Sequence, residues 1–119
     1  MSAVARGEDV CGRFSSFKDV QLVPSPPKIP IMVAYATRFA LFAHWPDDKD
    51  QTPREMATAG WFYQGQVDYT QCFHCGGVLQ GWRSRDIAWS EHARWYPQCH
   101  YLIASMGQSF VDDVQIFNR

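Results

Sequence analysis

The chain has 119 residues, 11 basic and 12 acidic side chains and a net charge of −1, the size and balance of one small domain. No run of Lys or Arg supplies the footprint that nucleic acid requires, and no apolar stretch reaches the length of a membrane span. Aromatic residues make up 15% of the chain, and a small domain that spends so many usually exposes some in a groove.

Residues 1–30 hold Gly7, Gly12, Ser15, Ser16, Pro24, Ser25, Pro26, Pro27 and Pro30, and read as a flexible arm with an extended proline stretch. Its first ten residues lack an apolar core and carry Arg6, Glu8 and Asp9, so the expectation is a reducing, cytoplasmic setting. Apolar Phe39, Leu41 and Phe42 alternate with Ala and Arg38, predicting a helix over 33–43 that Trp45-Pro46 ends. The next helix is the best marked. Thr52 caps it, Pro53 takes the first position, Glu55 closes a capping box and Gly60 stops it. Residues 60–65 and 69–73 read as strands around a turn at 65–68, and 78–82 as a third. A helix is expected over 87–95, broken by Pro97, and another begins near Cys99 and continues past Gly107 towards Phe117.

Cys72, Cys75, His92 and Cys99 stand as C-x2-C, sixteen residues, His, six residues, Cys. Three thiolates and one imidazole form a closed tetrahedral set that suits one structural Zn²⁺. With four good donors no position stays open for a reacting water, so the metal holds the fold. The competing reading is buried thiols or a disulfide, which a reducing compartment disfavours. His74 lies between the paired cysteines and should point away from the metal, and His100 should face elsewhere if a helix starts there. Gly76-Gly77 permit the reversal that turns Cys72 and Cys75 to one metal. Cys11 is left over as a free thiol. A cysteine-hydrolase reading fails because a zinc-bound thiolate is not free to attack.

Around these ligands stand Arg38, Phe42-Ala43-His44-Trp45-Pro46, Met56-Ala57-Thr58-Ala59-Gly60-Trp61-Phe62-Tyr63, Gly65, Asp68, Cys72-Phe73-His74-Cys75-Gly76-Gly77, Trp82 and Trp89-Ser90-Glu91-His92-Ala93-Arg94-Trp95-Tyr96-Pro97-Gln98-Cys99. Over about residues 31–106 this pattern resembles the baculoviral IAP repeat (BIR) domain of inhibitor-of-apoptosis proteins, and 107–119 resembles the helical extension that follows its peptide-binding members. The resemblance implies an α+β fold: a three-stranded antiparallel sheet with four or five short helices around one zinc. It implies an anti-apoptotic binding module that captures alanine-initiated N-terminal tetrapeptides of caspases or of the antagonists that displace them. The alternative is a grooveless repeat acting as an adaptor in protein–protein complexes. No RING finger is present, so no enzymatic activity is expected of this chain.

A site of that kind must accept an ammonium, hold a methyl and pair with an extended backbone. The third strand, with Val78, Leu79, Gln80, Gly81 and Trp82, is the candidate edge. Asp86 stands where the family places its acidic anchor, with Glu91 close by, and Trp82 and Trp95 would wall the pockets above Leu79. Asp86 is equally a candidate cap for the helix near Ile87, Trp82 a core candidate, and Trp89 core. Arg38 reads either as a solvated surface residue or as a cation beside the thiolates. Gly81 stands where many groove-bearing members carry an acid, which weakens the negative potential around the amine. Ala3-Val4-Ala5 looks like the start of such a tetrapeptide. Read plainly it is a chance likeness in a monomer's tail. If trimmed, a neighbour's Ala3 in the groove would give weak self-association, and some thirty flexible residues, able to span roughly 30 Å, would also let the arm reach back across the domain within one chain.

Overall fold

The computed structural model describes residues 2–4 and 25–117. Calls that fall on 5–24, including Ala5, Arg6 and the free thiol of Cys11, lie outside the described residues. In chain order come strand β1 (Ser2–Val4), helix α1 (Tyr35–Ala40), α2 (Pro53–Thr58), β2 (Trp61–Tyr63), β3 (Thr70–Cys72), β4 (Val78–Gln80), α3 (Ala88–Trp95), α4 (His100–Met106) and α5 (Gln108–Phe117). Short 3-10 turns at Pro30–Met32 and Leu41–His44 flank α1. β2, β3 and β4 form the expected antiparallel meander.

Local chemistry accounts for most boundaries. Thr52 Oγ1 accepts the Glu55 N–H (3.1 Å) and Pro53 starts α2, as read from sequence. The second half of the capping box is absent. Glu55 Oε2 instead accepts the Ala88 N–H (3.1 Å), so the carboxylate of one helix caps the start of another. α3 correspondingly has Ile87 at its N-cap with no side-chain cap. Asp86, expected as a possible cap, accepts the Arg83 N–H (2.7 Å) and closes the turn before the helix. The expected single C-terminal helix is two helices, because Gly107 sits at φ 91° between them.

The core lies between the sheet and α2, α3 and α4. Trp61, Met56, Leu79 and Leu102 are fully buried there, each large side chain contributing about 1.5–3 kcal/mol. Trp82 packs edge-on to Trp61 with centroids 5.6 Å apart, the geometry that aromatic quadrupoles favour. α5 docks on α3: Val111 is buried and Gln115 Nε2 donates to the Ala93 and Arg94 carbonyls (2.9 and 3.0 Å). That side chain satisfies carbonyls that a helix end leaves without partners. Lys28 and Ile29 pair by backbone with His74 and Phe73, so the end of the arm is stitched to the cysteine loop.

One element was not expected as a strand, although the arm's reach back to this edge within one chain was geometrically allowed. β1 lies antiparallel on the free edge of β4, with Ser2 opposite Gln80, Ala3 opposite Leu79 and Val4 opposite Val78. The sheet order is β1-β4-β3-β2.

Candidate functional site

Two features converge on β4 and α3. The first is the cysteine and histidine cluster. The ligand atoms of Cys72, Cys75, His92 and Cys99 lie within 4.8 Å of one another. Cys72 ends β3, Cys75 immediately precedes the turn that Gly76 makes at φ 77°, His92 sits in the middle of α3, and Cys99 is the residue before α4. Gly77 has a separate reason for lacking a side chain: a Cβ there would meet the Tyr96 ring at 2.6 Å.

The Cys72 and Cys99 sulfurs stand 4.0 Å apart, about twice a disulfide bond length, and the three cysteines are free. His92 Nδ1 lies 2.8 Å from the Ala59 carbonyl. A carbonyl only accepts, so Nδ1 carries a proton and Nε2, 3.8 Å from Cys75 Sγ, is the nitrogen that offers its lone pair once a cation displaces the proton it holds. The His74 and Cys75 N–H groups face Cys72 Sγ at 3.3 and 3.5 Å, donors that stabilise thiolate charge. Without a cation the side chains share protons unequally. Burial holds the Cys72 thiol well above its usual range, while hydrogen bonds from Cys72 and Cys75 hold Cys99 far below. Burial opposes charge on His92, yet its hydrogen bonds to Cys75 and Cys99 push it up to about 10. A set of three thiols and one oriented imidazole fits Zn²⁺, which displaces those protons when bound.

Neither competing histidine joins the cluster. His100 Nδ1 engages Ser25, whose N–H lies 3.0 Å away. His74 packs edge-on to Phe73, though it stays close enough to Cys99 to favour its thiolate. Arg38 is 3% exposed, which rules out the solvated reading. It lies 4.5 Å over the Phe73 ring and donates to the Ala57, Met32 and Val33 carbonyls. Its charge is felt at Cys72, so it partly offsets the excess negative charge of three thiolates.

The second feature is the outer edge of β4 and the loop after it. Leu79 is buried beneath the sheet, and Val78 and Gln80 are half-buried. Gly81 and Trp82 lie beyond the strand: their N–H groups donate to Asp68 (3.0 and 2.7 Å), which is why β4 stops at Gln80 and not at residue 82. Trp82 is 2% exposed, its Nε1 donating to Thr70 Oγ1 (3.2 Å), so this ring packs in the core. Trp95 is half-buried and donates through Nε1 to Glu91 Oε1 (3.2 Å), with the Arg94 guanidinium 4.9 Å above its ring. Trp89 is half-buried against the core and stacks on Tyr101. Burial, reinforced by the Asp86 charge, raises the Glu91 pKa against the pull of Arg94 (3.7 Å) and the Trp95 N–H. Asp86 and Glu91 therefore form one acidic corner, at the end of the edge where Ser2 pairs with Gln80.

The loop that carries Trp82 and Asp86 is held by residues the sequence reading did not single out. Lys49 Nζ bonds the Trp82 carbonyl (2.7 Å) and the Asp68 carboxylate (3.0 Å). Gln51 Nε2 donates to the Arg83 and Asp86 carbonyls (2.7 and 2.8 Å). Asp68 was visible as a turn residue and as part of the family pattern, but nothing local reveals that it reaches thirteen residues ahead to Gly81.

The family profile described as "BIR: Inhibitor of Apoptosis domain" matches residues 13–103. A "Putative inhibitor of apoptosis" of Sus scrofa is 45% identical over 84 residues, covering 71% of this chain and 24% of that protein. "Apoptosis inhibitor IAP" of Cydia pomonella granulosis virus is 35% identical over 114 residues, 92% of this chain and 42% of its own length. The chain thus spans less than half the length of either relative. A solved structure titled "Crystal Structure of autoinhibited dIAP1-BIR1 domain" matches with a TM-score of 0.52 and 34% identity, over 55% of this chain and 62% of that one.

Proposed function

The chain belongs to the Inhibitor of Apoptosis (BIR) domain family, and from that premise we propose that it is an anti-apoptotic peptide-capture module. Its ligands are free N-termini that begin with alanine, as presented by caspases or by their antagonists in the cytoplasm. The single observation that carries this reading is the β4 edge itself: a three-residue strand that accepts an added antiparallel strand and runs up to an acidic corner. Backbone pairing supplies affinity without side-chain preference, and Asp86 with Glu91 supplies the charge that distinguishes an ammonium from an amide. Trp95 supplies the apolar wall. The buried position of Trp82 leaves it to shape the floor through Trp61 and Thr70.

Titration with an alanine-initiated tetrapeptide, free and N-acetylated, tests the reading. The free peptide is expected to bind and the acetylated one to lose at least tenfold. Asp86→Ala is expected to weaken the free peptide by about 2–5 kcal/mol, as for a desolvated charge pair. Equal binding of the two peptides refutes the ammonium site.

The adaptor reading has its own supporting observation. Ile31, Val33, Tyr35, Phe39 and Leu41 are 41–76% exposed along α1 and its flanking turns, with Tyr35 and Phe39 stacked at 5.7 Å. An apolar strip of this kind is a candidate for contact with another protein. Loss of partner binding in Phe39→Glu, with peptide titrations silent, would favour it.

A further inference from the structure

Independently of the peptide reading, we propose that the outer face of α1 docks a second copy of this chain, giving a weak symmetric dimer. Residues 29–46 contain a single Asp, Glu, Lys or Arg, which is Arg38. Its guanidinium is buried: it donates to the Met32, Val33 and Ala57 carbonyls and lies over the Phe73 ring. The one charge in this stretch therefore fastens the inner side of α1 to the domain, and what stays outside is apolar. Ile31, Val33, Tyr35, Phe39 and Leu41 are exposed together there. Elsewhere among the described residues, exposed large apolar side chains come singly or beside acids. Ile87 adjoins Asp86, and Ile116 lies one helical turn from Asp112 and Asp113.

The shape of this face suits a copy of itself. Tyr35 and Phe39 stand one turn apart and stack with centroids at 5.7 Å, which makes a ridge. Ala36 and Ala40, one position further on, are exposed beside it and leave a shallow groove. Ridge and groove on one helix let two copies, related by a two-fold axis, pack ridge into groove twice.

Charge selects the same occupant. In a two-fold contact each charge near the axis meets its own sign, so a charged face penalises a second copy, and this face brings no charge to the contact. A different protein is steered and selected by complementary charge, for which this face has nothing to offer. A net charge of −1 leaves little repulsion between whole copies. The five side chains expose on the order of 500 Å², near the upper end for one apolar patch on a monomer. Two such faces bury about 1,000 Å², below the roughly 1,600 Å² of a standard stable interface, so the dimer dissociates at about 100 µM.

Sedimentation equilibrium of the full zinc-loaded chain at pH 7.5 tests this, from about 10 µM to about 1 mM. The mass is expected to climb from 13.7 kDa towards twice that value, and the dissociation constant to change less than about twofold on raising salt tenfold. Phe39→Glu places a like charge on the ridge, and Ala36→Glu fills the groove with a charge. Each variant, with zinc content and melting matched to the parent, is expected to stay at 13.7 kDa throughout. A parent chain that remains monomeric at the highest concentration overturns the proposal and leaves the strip to a different protein. A dimer that persists in both folded variants places the contact on another face and equally overturns it. So does a dimer that loosens about tenfold with salt, because charge would then hold it.

Discussion

Asp68→Asn removes one charge and tests whether the loop carrying Trp82 and Asp86 is held from outside. The carboxylate is buried, accepts the Gly81 and Trp82 N–H groups at 3.0 and 2.7 Å and pairs with Lys49 at 3.0 Å. A hydrogen bond to a charged group contributes about 1.5–3 kcal/mol net. Asn keeps one acceptor and turns an NH2 towards the other N–H, so a loss of about 2–4 kcal/mol is expected. Asp68→Ala orphans both N–H groups and leaves Lys49 without its counter-ion, for about 3–5 kcal/mol. Against a total stability of about 5–15 kcal/mol these are large changes, readable by urea unfolding in excess zinc.

The same residue gives a pH signature. Burial alone would raise the Asp68 carboxyl, but the Gly81 N–H, Lys49 and the Trp82 N–H outweigh it and leave the pKa below its ordinary value of 3.8. A folded-state pKa below the unfolded one means the stabilisation is complete above about pH 5 and disappears as the pH falls through the folded value. The gap between wild type and Asp68→Asn should therefore narrow in acid, with zinc loss common to both. A gap under 0.5 kcal/mol at pH 7, or one that does not begin to narrow at the acid end of the range where both proteins still hold zinc, refutes the reasoning.

Cys72→Ser should abolish cooperative folding, since structural zinc supplies on the order of 10 kcal/mol; a metal-free variant that still melts cooperatively by circular dichroism would refute the structural role. Gly77→Ala drives a methyl into the Tyr96 ring at 2.6 Å, and that ring is pinned by its hydroxyl to Val78. A loss of about 1–3 kcal/mol is expected in thermal unfolding, and an unchanged midpoint would contradict the close approach. Burial and the neighbouring Asp86 raise the Glu91 pKa against Arg94 and the Trp95 N–H, so the free site binds a proton there more readily. An arriving ammonium favours the carboxylate. Affinity for the free peptide should thus fall as the pH drops through the Glu91 pKa, and Glu91→Gln should flatten that limb of a calorimetric pH series.

The metal centre was legible because its signal is chemical and local. Thiolate and imidazole at C-x2-C, sixteen, His, six, Cys identify the donors before any fold is drawn, and the four atoms do converge. The start of α2 was legible for the same reason, since Thr52, Pro53 and Glu55 act within one helical turn. Limits that depend on distant partners were not. Glu55 looked like the closing half of its own capping box, yet its carboxylate caps α3. The third strand looked five residues long, yet Asp68 takes two of its N–H groups and ends it at three. Trp82 offered no sign of whether it faced a groove or the core, because that depends on Trp61 and Thr70 arriving from other strands.

The sequence by itself determined the ligand set and most of the element types between the arm and Gly107, which follow from residue chemistry and short-range spacing. Only the tertiary structure decided how hydrogen-bonding groups far apart in the chain were shared out: Asp68 to the loop after β4, Gln115 to the end of α3, and residues 2–4 to the edge of β4. Each of those groups had several possible partners of equal intrinsic quality, and chain closure around the zinc selected one.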